Sequence, residues 1–465
     1  MKLNKIILVS LILLVISTVM PVSLLASETN LDIAIKSALE NNNTLKSARE
    51  KLKAAEMQKK AAESIMNSKL SGELSWQDEE LTEDGSIFST INYSKFLAES
   101  SGTEAQLNKA DLKYYIAELE YTKTREEVLA AVIKQYYNLL KIDDLIKSQK
   151  SAVAEAKALY QDAEKRYADN LITDADLLRM KINLEKSREK LKSIKSDRIK
   201  AEEELALLTG IKAVELKLAK SKITRSEDNF EFKKESLLKV AYKNRSDYQI
   251  KKLNADLIQA DIKYLKSEDD PTFSLGGEYL FEDGRVKSSL NSKYQFNLSA
   301  SADTRDQNEK YISIKNLELL EESEWKVTAA LSYQFSDGGK NNAEINAAEA
   351  RLKESEFSLK NLEEQIKIEV SSLLRELDLA KNRVNTAAQN LKRAKLEYQS
   401  TKSRYQKGAV IESELISAQK LLAEAEADLT AAKYAVQLKK TEIMAAVENI
   451  HKSFTAGELG GDKSD

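Results

Sequence analysis

Two Arg-Tyr pairs, Arg166-Tyr167 and Arg404-Tyr405, stand 238 residues apart, and acids follow each closely: Asp174 and Asp176 after the first, Glu412 and Glu414 after the second. A phenol, a guanidinium and carboxylates in that arrangement can hydrogen-bond and form ion pairs, but they do not make a bond-breaking centre. The residues that could do covalent chemistry are sparse. His451 is the single histidine and stands near a polar C-terminal stretch without cysteine or carboxylate company, which reads as a surface histidine rather than a metal ligand. Cysteine is absent, which excludes a disulfide framework, a thiolate metal site and a thiol nucleophile. No Ser-His-Asp spacing and no phosphate-binding glycine loop occurs. Carboxylate pairs such as Glu202 and Glu204 belong to a charged helix face. The chain reads as a non-enzyme, with no metal and no cofactor.

The elements that must position the two pairs are themselves repeated. The 238-residue offset carries Val132, Leu139, Ile146, Val153, Tyr160 and Tyr167 onto Val370, Leu377, Val384, Leu391, Tyr398 and Tyr405, and Leu177, Leu184 and Leu191 onto Leu415, Leu422 and Leu429. Such self-similarity marks one structural unit used twice. The spacing is heptad, with alanines at the neighbouring seam position (Ala380, Ala387, Ala394), so it predicts long helices whose axes approach closely. A helix from Glu104 to Tyr167 is about 95 Å long at 1.5 Å per residue, too long for a compact core. Asn170 and Gly408 sit where the helices must stop, and both types adopt the left-handed conformation readily. Thr173 or Asp174, and Glu412 or Ser413, are the expected caps of the returning helices.

Composition agrees: charged residues are 32%, aromatics 6%, and the prolines are Pro21 and Pro271. Acids and bases are interspersed around a net charge of −3, which gives no reason to invoke nucleic acid. Lys2, Lys5, the apolar run 6–19 and Ala26 read as a cleaved export signal over 1–26, whose removal takes the charge to −5. The expected division is a first repeat over 27–209 (lead-in helix, strand pair about 70–96, hairpin 103–209), a linker over 210–236, a second repeat over 237–448 (strand pair about 272–336, hairpin 340–448) and a polar tail over 449–465.

Between helices the period changes to two. Leu70, Leu74 and Trp76 alternate with polar residues, and Ile91 and Tyr93 follow the turn at Asp84-Gly85. Trp325, Val327, Ala329, Leu331, Tyr333 and Phe335 alternate with Lys326, Thr328, Ala330, Ser332 and Gln334. Aromatics at both ends suit the two girdles of a membrane barrel, though half-buried soluble sheets also alternate. Four strands cannot enclose a wide bore, so a barrel demands several chains. The lead-in helices align at an offset of 203, so the second repeat holds 35 extra residues. Tyr294, Phe296, Leu298 and Ala300 also alternate, but a chain leaving and rejoining helices on one side crosses an even number of times. That rule places 283–323 mainly in an enlarged external hairpin, with two extra crossings using 311–319 as the alternative.

Together these features make the chain resemble the TolC family of outer-membrane efflux proteins over about 31–448. Residues 325–339, WKVTAALSYQFSDGG, are similar to the family's last strand running into a Phe-Asp-Gly-Gly helix start, with Ser336 inserted. Residues 404–420, RYQKGAVIESELISAQK, are similar to its Arg-Tyr-x-x-Gly tip. Prolines common in the family near Asn43, Ser68 and Ser246 are missing. The resemblance implies a mainly α protein with β: a trimeric outer-membrane β-barrel, four strands per chain and twelve in all, continuous with a periplasmic coiled-coil tube.

It also implies roles. Tyr405 matches the tip tyrosine and Asp176 the acid accepting its hydrogen bond, while Glu414 matches an inward acidic ring; Ser417 and Val410 occupy positions where the family has further charges. These three would form the gate, although packing and solvation of the tips is the plainer reading. Arg166, Tyr167, Asn170, Arg404, Gly408 and Leu415 are expected adaptor contacts, and Trp76, Trp325, Tyr333 and Phe335 the girdle. The implied partners are two further copies of the chain, a periplasmic adaptor, an inner-membrane transporter and outer-membrane lipid. The implied function is the exit duct of a tripartite efflux or type I secretion system, exported by its cleavable signal. The competing function is a non-transporting periplasmic or surface coiled-coil scaffold.

Overall fold

The computed structural model describes residues 30–77, 86–211, 233–281, 284–303 and 324–452. The export signal, the Asp84-Gly85 turn, most of the linker, residues 311–319 and residues 453–465 lie outside the described residues.

Each repeat opens with a broken lead-in helix: α1 (Leu31–Asn41) and α2 (Asn43–Glu63) in the first, α5 (Lys234–Asn244) and α6 (Ser246–Glu268) in the second. Asn42 makes the first break, accepting from the Leu45 N–H at 3.0 Å and donating to the Leu208 carbonyl at 2.9 Å. After the strands come the hairpins α3 (Ser101–Ala168) with α4 (Asp174–Thr209), and α7 (Lys340–Gln406) with α8 (Glu412–Ala446). At 68 and 67 residues, α3 and α7 are each about 100 Å long.

The helices form one layer. In its tip half α4 packs on α3, α3 on α8, and α8 on α7; in the sheet-proximal half α2 takes the place of α4 and α6 that of α8. The expected seam is buried where α7 meets its neighbours, at Ile366, Val370, Leu377, Ala387, Ala394, Tyr398 and Tyr405. Midway along the tube two equivalent clusters form, α1 packing on Leu129, Val132 and Tyr136 of α3, and α5 on Ile366, Val370 and Leu377 of α7.

The strands make one antiparallel sheet in the order β1-β2-β5-β4-β3-β6: β1 (Lys69–Gln77), β2 (Ser86–Phe96), β3 (Thr272–Phe281), β4 (Gly284–Asn291), β5 (Gln295–Asp303) and β6 (Glu324–Ser332). This corrects the expectation of four strands per chain and of an external hairpin over 283–323. The insertion supplies β4 and β5, which enter the sheet between β3 and β2. Their turn lies at the helix end, where Ser292 N–H donates to Phe273 O and Leu97 N–H to Tyr294 O. The parity rule is still obeyed, because β4 and β5 add two crossings. Unpaired backbone groups at the β2 and β3 edges account for the outcome: an alternating segment nearby satisfies both edges at once.

Candidate functional site

The sheet has two chemically distinct faces. Directly paired residues share a face, and the face alternates along each strand. Across β6-β3-β4 the register aligns Leu331 with Phe273, Ala329 with Leu275 and Leu290, and Trp325 with Tyr279 and Val286. Across β5-β2-β1 it aligns Leu298 with Tyr93 and Leu70, and Ala300 with Ile91 and Gly72. This apolar face is exposed, with Trp325 at 76%, Leu74 at 76% and Leu331 at 70%. The other face carries Glu73, Thr90, Asn92, Asn297, Ser299, Lys287, Glu278, Lys326 and Thr328, and Lys287 pairs with Glu278 at 3.2 Å. Trp76 and Trp325 stand at the outer end. Tyr333 and Phe335 stand just past β6 at the helix end, their rings 5.1 Å apart at 87°. A continuous apolar face of six strands, polar behind, is the surface of a lipid-facing barrel wall rather than of a sheet awaiting a helical cover. Among the described residues no helix is long and apolar enough to cross a membrane.

The last strand passes into α7 through Asp337-Gly338-Gly339. Both glycines have left-handed φ, +74° and +85°, which lets Asp337 turn back to accept from the N–H groups of Gly339 at 2.8 Å and Asn341 at 2.5 Å. These bonds, that of Asn341 foremost, hold its carboxyl below the usual range.

At the opposite end the two hairpins converge in a shared cluster of Leu159, Ala163, Met180, Tyr398, Tyr405, Leu415 and Ala418. Asn170 and Gly408 end α3 and α7 with φ of 57° and 72°. Arg166 stacks on the Tyr405 ring, 4.4 Å from its centre, while its Nε donates to Asp162 at 2.9 Å. Tyr405 is 2% exposed, and its enclosed hydroxyl makes no hydrogen bond of good geometry. Burial, opposed by Arg166 and reinforced by Glu412 and Asp162, pushes its phenol up to about 12. A second link lies two to three helical turns away from the tip: Glu155 accepts from Lys402 Nζ at 2.6 Å and from the Tyr398 hydroxyl.

Three expectations are corrected here. Asp176 does not accept from Tyr405; it forms a capping box with Thr173, taking its N–H at 3.2 Å and hydroxyl at 2.6 Å, and pairs with Arg179 at 3.1 Å. The Thr173 hydroxyl bond is the leading reason its carboxyl titrates low. Position three of a helix faces back along its own first turn, which turns Asp176 away from α7. Leu415 is no contact residue, being fully buried in the tip cluster because it occupies the seam position of α8. The α8 cap also differs: the N-cap is Ile411 with no side-chain bond, in place of Glu412 or Ser413. Tyr167, Asn170, Arg404, Gly408 and Glu414 are exposed, and Arg166 is partly covered.

Sequence reasoning missed Glu412 as the acid beside Tyr405. The offset contained the signal, since Tyr167 and Asp174 are the counterparts of Tyr405 and Glu412, and there the hydrogen bond to Asp174 raises the Tyr167 phenol. It also missed a midway lock. The buried Glu126 carboxylate accepts from the Ile450 N–H at 2.8 Å and the His451 N–H at 3.1 Å, so Ile450 and His451 are held on α3 rather than trailing as a tail. Nearby, Arg245 joins Asp247 at 2.8 Å, Glu369 at 2.6 Å and the Ala446 carbonyl at 3.0 Å.

The family described as outer membrane efflux protein matches the chain over residues 34–211 and 237–448. Among solved structures, the chain superposes on CusC with a TM-score of 0.71 at 18% identity, covering 90% of this chain and 92% of CusC. For the outer membrane protein VceC of Vibrio cholerae the values are 0.68 and 16%, over 90% and 96%. For the CmeC outer membrane channel of Campylobacter jejuni they are 0.70 and 15%, over 95% and 91%. At these identities the likeness is one of fold. The comparison with curated protein sequences gave no match.

Proposed function

The chain belongs to the outer membrane efflux protein family, a family of channels rather than enzymes, and from that premise we propose that it is the outer-membrane exit duct of a tripartite efflux or type I secretion system. The observation that carries this reading is the exposed apolar face of the sheet, continuous over six strands and polar behind. Such a face needs lipid on one side and water on the other. The outer edges of β1 and β6 have no partner strand among the described residues of the single chain, and a barrel must have no edges. Three copies with six strands each would close eighteen strands, a size that leaves an aqueous bore, in place of the twelve expected from four strands per chain. Beneath it the helical layers of three copies would form a tube in the periplasm, reached by way of the leader at 1–26.

The tips are the end that meets partners. Exposed Arg404, Gly408, Tyr167 and Asn170, with partly covered Arg166, offer a basic and polar rim to a periplasmic adaptor, through which an inner-membrane transporter would load the duct. Tyr405, buried under Arg166, holds the two hairpins together, and Asp176 fixes the first turn of α4. Glu414, exposed on the first turn of α8, would repeat three times around the axis as a negative constriction. Extraction tests the class. A barrel assembly needs detergent, shows heat-dependent gel mobility and conducts in planar bilayers; release by osmotic shock without conductance would establish the scaffold instead.

A further inference from the structure

The tip contacts inside the chain specify, through the duplication, the contacts between chains. The helical layer has open edges at α4 and α7, and its internal joint sets the first repeat against the second. A heterologous ring closes by repeating that joint between copies, second repeat against the first of the next. Advancing first-repeat residues by 238, and taking second-repeat residues back by 238, converts each internal pair into its counterpart across the closing joint.

Arg166 on Tyr405 becomes Arg404 on Tyr167. Both are exposed in the single chain, and the position four before Arg404, Asp162 in the first repeat, is Ser400, so Arg404 has no acid to hold it back. Glu155 with Tyr398 and Lys402 becomes Arg393 with Tyr160 and Glu164. The aromatic is retained and both charges are reversed, so the joint stays complementary with opposite sign. Arg393 and Glu164 are exposed, and no ion pair joins Arg393 to a described residue.

We infer that the tip carries an interaction surface for a second copy of this chain, in which Arg404 stacks on Tyr167 of the partner subunit and Arg393 pairs with Glu164 of the partner subunit. The inference rests on the channel reading, which supplies the ring. Charge reversal gives it a purpose in assembly. Glu155 and Lys402 cannot exchange partners with Arg393 and Glu164 without meeting like charge, so the inner and outer joints of the trimer cannot be confused.

The natural absence of cysteine allows a direct test on the full chain. A double variant E164C and R393C, treated with a short bis-maleimide after detergent extraction, is expected to give dimer and trimer bands on a denaturing gel. The pair E155C and K402C, bridged within one chain, is expected to stay monomeric on the same gel. Native mass of untreated protein is measured in parallel. A native trimer without the ladder overturns the inferred contact and leaves the channel reading standing; a native monomer overturns both. Charge supplies a second arm in planar bilayers: R393E is expected to raise single-channel conductance, and adding E164K to return it to the natural value. Failure of that rescue in a trimer also overturns the pairing.

Discussion

The Arg166 guanidinium lies 4.4 Å from the centre of the Tyr405 ring, so the end of α3 is clasped to the end of α7 within one chain. Stacking of a cation on an aromatic is worth about 0.5–2 kcal/mol, more as water is excluded, and Tyr405 is almost wholly enclosed. The clasp keeps the two hairpins from separating, whereas the capping box at Asp176 acts within its own hairpin.

That separation of roles predicts different consequences for three substitutions at the tips. Tyr405→Phe removes an enclosed hydroxyl that lacks a good hydrogen bond but keeps the ring, and is expected to leave tip protection within about 0.5 kcal/mol of the natural value. Arg166→Ala is expected to cost about 1 kcal/mol and Tyr405→Ala about 3 kcal/mol, with a rise in antibiotic leakage. Hydrogen exchange at Tyr398 and Leu415 with parallel conductance reads the order; a Tyr405→Phe variant as open as Tyr405→Ala would show that the hydroxyl holds the gate.

Asp176→Ala breaks the box on Thr173 and is expected to lower the Tm. Because the two residues bond reciprocally, the T173A D176A double variant should lose less than the sum of the singles. Additive losses in thermal unfolding would mean that Asp176 works through a different partner.

Leu415→Ala empties a buried seam position and is expected to cost about 2–5 kcal/mol. Arg404→Ala, which in the assembled ring loses the inferred counterpart of the Arg166–Tyr405 stack, is expected to cost only about 1 kcal/mol yet weaken adaptor capture. Thermal unfolding and a binding assay on the same samples separate packing from recognition.

Burial pushes the Glu126 carboxyl up against the opposing hydrogen bonds of His451 and Ile450. A folded-state pKa above the unfolded one means the proton is held more tightly in the folded chain. The stabilising contribution is complete below the ordinary glutamate value and is lost as pH rises through the raised one. Glu126→Gln keeps an acceptor for the Ile450 N–H but does not ionise, so its Tm relative to the natural chain is expected to rise as pH climbs above the ordinary glutamate value. A falling difference would contradict the burial argument.

On the sheet, Val327→Arg places a charge on the apolar face and is expected to cost about 2–4 kcal/mol near mid-depth. Thr328→Lys, one residue on and on the polar face, should cost less than about 1 kcal/mol. Reversal of that order, measured as folded trimer yield in detergent or lipid, would turn the sheet inside out.

The amino-acid sequence by itself determined what repeats locally: two copies of one unit, heptad helices of the right length, left-handed stops at Asn170 and Gly408, and alternating strands with aromatics at both ends. Each is written in the period of a single segment, which backbone geometry converts directly into a face. Tertiary structure decided what depends on how separate segments turn toward one another. The alternation over 294–300 was visible, but only pairing with β2 and β4 made it a sheet strand, since parity allows two or four strands equally. The rotation of α4 and α8 about the long helices set Glu412 rather than Asp176 beside Tyr405 and turned Leu415 inward. Likewise, Ile450 and His451 carry no periodic mark, and it is the buried Glu126, 324 residues before Ile450, that fastens them to the tube.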